Sequence, residues 1–345
     1  LNKFVWTCGL AAAVFAVLCF GQIAAKNENK TGPRNPPEGQ PVLSADDKVE
    51  ISAALRLKTE AGDQVWPGLA GADIPLILFN GRYEFLIGET KPSAPWETVP
   101  GDDFDGRPYF RRAVHESQYF AVKIGTHYAG SAGTLGTMNS ESPLKLSPDM
   151  HIVMVLHEMF HAYEGDQAPA RMTKALAVYK AENLYPYKDK DFAAAWTNEG
   201  AALAQALKAA DDAETVRWAK KFWQIRETRR RTAGFGPDLL DYERELEWLE
   251  GLAEYAEIRF HELAARLSPA SSIKFALSLP VLLQYDFVRL EKQLGAQKGD
   301  LRFYVSGMAQ ARLLDRLSPG WKTKTTLDKF YLEDLVRAAA FSRAR

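Results

Sequence analysis

Five residues concentrate the chemistry of this 345-residue chain: His157-Glu158-Met159-Phe160-His161. On a helix, positions four apart share a face, so this spacing presents two imidazoles to one metal ion. Glu158 stands beside the first imidazole, where it can act as general base toward a zinc-bound water. The flanking residues suit a helix buried around such an ion. Apart from Glu158, no charged residue lies between Asp149 and Glu164. A helix that holds ligands beneath a sheet has to be apolar elsewhere. Ser147-Pro148-Asp149 is a start signal, with Ser as N-cap, Pro at the first helical position and Asp in the first turn. Gly165 is a stop signal.

A hydrolytic zinc takes three protein ligands and keeps one position open. The metzincin arrangement would need Gly at 164 and His at 167. The chain has Glu164 and Gln167, which excludes it. His115, His127, His151 and His261 have no spacing suited to zinc and read as ordinary surface or core histidines. Two downstream helical carboxylates stand out, in Asn198-Glu199-Gly200-Ala201-Ala202 and in Glu250-Gly251-Leu252-Ala253-Glu254-Tyr255. Glu199 shares its face with Ala202, Leu203 and Ala206. A carboxylate on an apolar face needs a partner, and a metal would be one. Glu250 lies in an acidic stripe, Glu243, Glu247, Glu250, Glu254 and Glu257, which a solvated face would also explain.

HExxH followed by a helical Glu in an N-E-G-x-A or E-G-x-A-x-Y setting resembles the gluzincin metallopeptidases, such as the aminopeptidase-N-like and thermolysin-like enzymes. The resemblance implies that one of the two glutamates is the third zinc ligand. The fuller match of E-G-L-A-E-Y points to Glu250; periodicity and the shorter distance from the motif point to Glu199. Glu250 is taken as the ligand, with Glu199 as the alternative. The chain also resembles a group of uncharacterised secreted bacterial proteins that combine HExFH, E-x-x-A-L-x-x-A-L, E-G-L-A-E-Y and Y-x-S-G. Here these are His157–His161, Glu199–Leu207, Glu250–Tyr255 and Tyr304–Gly307. Gluzincins often aim a Tyr or His at the developing oxyanion, which makes Tyr304, Tyr255 and His261 candidates, Tyr304 foremost.

The rest of the composition limits the partners. Lys plus Arg is 43 and Asp plus Glu is 44, a balance that gives no electrostatic case for nucleic acid or an anionic membrane. The run Arg229-Arg230-Arg231 reads as a solvated helix face. Lys3 followed by apolar Phe4–Phe20 and Ile23-Ala24-Ala25 reads as a signal peptide over 1–25, cleaved near Ala25, with an uncleaved membrane anchor as the alternative. The expected location is secreted or periplasmic. Cys8 and Cys19 both lie in that segment, so the mature chain has no disulfide and only histidine and carboxylate ligands to offer a metal.

The elements that must position the site follow. Residues 26–41 form a polar, proline-rich tether, and 42–345 a single zincin-like catalytic domain, with a sheet-containing part at 42–146 and a helical part at 147–345. Ser44 caps a helix of about 15 residues. Ile74–Phe79 and Arg82–Ile87 form a hairpin around Asn80-Gly81. Residues 89–110 are irregular, Tyr119–Ile124 is a third strand, suited to be an edge along which an extended peptide binds, and 129–143 is a loop. Helices are expected over roughly 168–183, 191–209, 211–232, 238–265, 272–294, 301–317 and 326–341. The fold class is α+β, mainly helical. The function expected is zinc-dependent hydrolysis of a peptide or protein substrate. An exported, non-catalytic binding or scaffold protein with a zincin fold is the alternative.

Overall fold

The computed structural model describes residues 40–115, 118–141, 145–267, 275–325 and 330–342. The expected signal segment and nearly all of the tether lie outside these residues. No helix among the described residues is long and apolar enough to cross a membrane. The chain is mainly helical, with a six-stranded mixed sheet in its N-terminal part followed by a helical region, as expected. It divides into two compact units. Unit 1 takes the described residues up to Asp166 together with Ala256–Leu282; unit 2 takes Gln167–Tyr255 and the described residues from Leu283 onward.

Unit 1 opens on α1 (Ala45–Val65), which starts at the expected cap but runs to 21 residues. Ser44 Oγ accepts from Asp47 N, and the Asp47 carboxylate accepts from Ser44 N, a reciprocal capping box. The hairpin forms as read, β1 (Leu76–Phe79) against β2 (Tyr83–Ile87), with Asn80 Oδ1 accepting from the backbone N–H groups of Arg82 and Tyr83. Two expectations give way here. The irregular stretch contains β3 (Glu97–Thr98) and ends at β4 (Phe110–Ala113). The Gly/Ser/Thr-rich loop is instead β6 (His127–Gly133) followed by the short α2 (Leu135–Glu141).

The third expected strand is β5 (Phe120–Ile124). The sheet order is β3-β4-β2-β1-β6-β5, so β5 lies at an edge and β6 is buried inside the sheet. β1 pairs with β6 in parallel, while β6 pairs with β5 antiparallel. One face carries Ile77, Leu86, Phe110 and Ala129.

Helix α3 (Pro148–Gln167) holds the HExxH residues. It starts where the start signal placed it, with Ser147 O accepting from His151 N. It does not stop at Gly165. The ring of Tyr128 occupies the space a side chain there would need, 2.8 Å from an ideal Cβ, so that glycine serves packing. β6 lies directly against α3. A Cβ on Gly130 would stand 2.7 Å from Met159 N and 2.8 Å from Met159 Cα. This contact explains why an interior strand is built from Ala, Gly and Ser, residues with little strand preference of their own.

A buried histidine ties these elements together. His151 Nδ1 lies 2.5 Å from Glu50 Oε2 of α1, and its Nε2 lies 2.9 Å from the carbonyl of Gly133. Burial alone would lower its pKa, but Glu50 and the carbonyl outweigh it and raise it above 6.5. A group whose pKa is raised by folding stabilises fully below its unfolded value and loses that contribution as pH rises through the folded value. The melting temperature should therefore fall as pH is raised above 6.5. In His151→Gln it should start lower and vary less with pH over the same range, as read by thermal denaturation.

Unit 2 is helical: α4 (Pro169–Ala177) with a 3-10 turn (Val178–Leu184), α5 (Lys190–Lys208), α6 (Asp212–Thr232) and the N-terminal part of α7 (Pro237–Leu267). The end of α8 (Phe275–Val288), α9 (Leu301–Leu317) and α10 (Leu332–Ser342) complete it. Residues 272–274 and 326–329 of the expected helices lie outside the described residues. Two segments singled out in the sequence meet here. A Cβ on Gly251 of α7 would stand 2.5 Å from Gly307 Cα of α9, and Ser306 Oγ donates to Glu247.

The arginine run corrects the sequence reading most sharply. Arg229 and Arg230 are buried, and with Arg226 they form the centre of an ion-pair network. Arg226 Nε donates to Glu199 at 2.8 Å, and its Nη1 donates to Glu247 and to Glu333, each at 2.8 Å. Arg229 donates to Glu199 and Glu243, and Arg230 to Glu243 and Glu333. Glu243, Glu247 and Glu250 are likewise buried, so that stretch of the acidic stripe is not a solvated face.

Candidate metal centre

His157, Glu158 and His161 are all buried on α3, and one ligand atom from each lies within 4.8 Å of the others. At metal–ligand bonds of about 2.0–2.1 Å, two nitrogens on one ion are at most about 4.2 Å apart, so small side-chain rotations close the group on an ion. The two imidazoles stand edge to face, 4.9 Å between centroids.

Each imidazole is oriented by a carboxylate. His157 Nδ1 lies 3.1 Å from Glu257 Oε2 of α7, and His161 Nδ1 lies 3.3 Å from Glu164 Oε2, one turn along α3. A carboxylate accepting from Nδ1–H fixes the neutral tautomer in which Nε2 carries the lone pair, and it makes that nitrogen a better donor. The ring of Phe120, at the start of β5, packs 4.5 Å from the ring of His161 and limits its rotation. Two imidazoles beside a carboxylate form a nitrogen-and-oxygen donor set that could hold a metal ion.

Tyr119 borders the group. Its hydroxyl donates to Glu141 Oε2 at 3.2 Å. Burial raises its pKa, and the charges of Glu141 and Glu158 raise it further, so the phenol stays protonated near Glu158.

Sequence reasoning brought together His157, Glu158 and His161. It missed Glu164, Glu257, Tyr119 and Phe120 as neighbours. Glu164 was findable, because a carboxylate three residues after a helical histidine shares its face. Glu257 belongs to the acidic stripe, but its partner lies 100 residues away in sequence.

Of the other expected site residues, Glu199, Glu250, Tyr255 and Tyr304 lie in unit 2 and His261 lies in unit 1. The two carboxylate oxygens of Glu199 accept from Arg226 and Arg229, so its buried charge has partners without a metal. Glu250 is buried on α7, with the hydroxyl of Tyr179 at 3.3 Å from its Oε1. Tyr304 is buried on α9, and Tyr255 donates to Asp315. His261 Nε2 lies 3.0 Å from the carbonyl of Phe275 and 2.8 Å from Ser278 Oγ. Comparison with protein-family models, curated proteins and solved structures finds no match, so the gluzincin resemblance rests on the motif residues alone.

Proposed function

We propose that the chain is an exported zinc-dependent hydrolase of gluzincin type that cleaves peptide bonds. The observation that carries this reading is the buried His157-Glu158-His161 group, with a carboxylate at Nδ1 of each histidine. Zinc bound there would lower the pKa of water to about 7 and polarise the substrate carbonyl. His157 and His161 hold the ion through Nε2, and Glu250 is the third ligand. One fact favours Glu250 over Glu199: arginines already take both oxygens of Glu199.

Glu158 takes a proton from the attacking water as its oxygen bonds to the carbonyl carbon. It then delivers that proton to the departing nitrogen as the C–N bond breaks. Tyr304 is the proposed donor to the developing oxyanion. The outer edge of β5 is the proposed seat for an extended substrate, since Phe120 joins that strand to the ring of His161.

The experiment is metal analysis paired with turnover of a diverse peptide pool. Wild type should bind one zinc per chain and cleave. His157→Ala, His161→Ala and Glu250→Ala should each lose the ion, while Glu199→Ala keeps it. Zinc-loaded wild type that cleaves no peptide would leave the non-catalytic scaffold as the reading. Retention of zinc by Glu250→Ala would remove Glu250 from the site.

A further inference from the structure

Arg289 follows α8, where the chain makes a single π-turn (Arg289–Gln293), and it is only 3% exposed. Such a turn redirects side chains and is frequent at functional positions. One corner of the guanidinium is held within unit 2. Nη1 donates to Asp286 Oδ1 at 3.3 Å and lies 3.7 Å from Glu254 Oε1. The guanidinium also lies over the ring of Tyr285, 5.2 Å from its centroid.

The opposite edge is different. Nε and Nη2 are both buried and have no hydrogen-bond partner among the described residues. These two N–H groups point the same way along one side of the guanidinium. That side is the edge by which arginine grips a carboxylate with two parallel hydrogen bonds. Buried donors in folded proteins are nearly always satisfied, so an edge of this kind calls for an acceptor. A single carbonyl would satisfy one donor; a carboxylate satisfies both. The charge balance also allows it. Burial pushes Asp286 up to about 6 against the pull of Arg289 and Arg312, so its negative charge is the one that yields when another carboxylate arrives.

We propose that the Nε–Nη2 edge of Arg289 is a carboxylate-binding site, taking either the C-terminal carboxylate of a peptide or an acidic side chain. The site needs neither the metal nor hydrolysis and so goes beyond the activity proposed above.

Isothermal titration calorimetry on the full chain tests it, once with metal removed by chelation and once with zinc added. The probes are N-acetyl-Ala-Leu as free acid, N-acetyl-Ala-Leu amide and N-acetyl-Glu-Leu amide. At least one carboxylate-bearing probe should bind ten-fold or more tighter than the neutral amide, and which one does so identifies the source of the carboxylate. Arg289→Gln should remove the difference. Arg289→Lys keeps the charge, and with it the packing against Asp286 and Tyr285, but loses the two-pronged edge. It should remove most of the difference even if the glutamine variant fails to fold, which melting temperatures report. Equal binding of all three probes to wild type, or no binding of any, overturns the proposal. Discrimination that survives in a folded Arg289 variant overturns it as well.

Discussion

Glu158→Gln should reduce peptide turnover by about 10²–10⁴-fold while zinc remains bound, because glutamine keeps the size of the side chain but cannot take a proton. The split between the two readouts is what makes the variant informative. His157 and His161 are oriented by Glu257 and Glu164, so the two imidazoles do not depend on the Glu158 carboxylate for their geometry. Zinc content by elemental analysis should match wild type, and initial rates on the best substrate of the peptide pool should collapse. A variant that retains wild-type turnover would remove Glu158 as the general base. A variant that loses zinc would make Glu158 a ligand instead.

The second large effect concerns stability. Arg226→Met removes a guanidinium that donates to Glu199, Glu247 and Glu333, carboxylates borne by α5, α7 and α10. The three carboxylates stay buried and lose a shared cation. Breaking a buried ion pair from one side costs about 3–5 kcal/mol. For a chain of this size that corresponds to a fall in melting temperature of roughly 4–7 °C. Arg226→Lys should recover only part of the loss, since a single ammonium cannot span three carboxylates.

The same network sets an acid limit. Burial pushes Glu243 up, but Arg229 and Arg230 overcome it and hold it down to about 2. A carboxylate with a depressed pKa stabilises above its unfolded value, near 4.5, and loses that contribution as pH falls toward its folded value. Unit 2 should therefore unfold between about pH 4.5 and 2. A far-ultraviolet circular dichroism titration reads this, with Arg226→Met unfolding at the higher end of the window.

Local chemistry made much of the fold legible. Ser44 with Asp47 three residues on, Asn80-Gly81 between apolar runs, and Ser147-Pro148-Asp149 before the motif each carry their structural reason within a few residues. What stayed hidden depends on distant partners. Three consecutive arginines have no periodicity that marks burial, and the glutamates that bury two of them lie 13 to 103 residues away. β6 shows neither β-branched nor aromatic alternation through Ala129–Gly133, because its residues are chosen for closeness to α3 rather than for strand preference. The same holds for the site. The HExxH spacing is a local fact, whereas the carboxylate that orients His157 reaches it from another helix, 100 residues along the chain.

Gly130 has a mechanical consequence. Helices usually rest on sheets through a layer of side chains, which yields when either partner shifts. At Gly130 that layer is missing, and the backbone of β6 bears on the backbone of α3 at Glu158 and Met159. The joint is stiff at the point where it meets Glu158, the proposed general base. A load on the β5–β6 ladder, such as a chain pairing with the outer edge of β5, would be passed to Glu158 with little damping. Strand and helix therefore act as one lever, with its fulcrum at a residue that has no side chain.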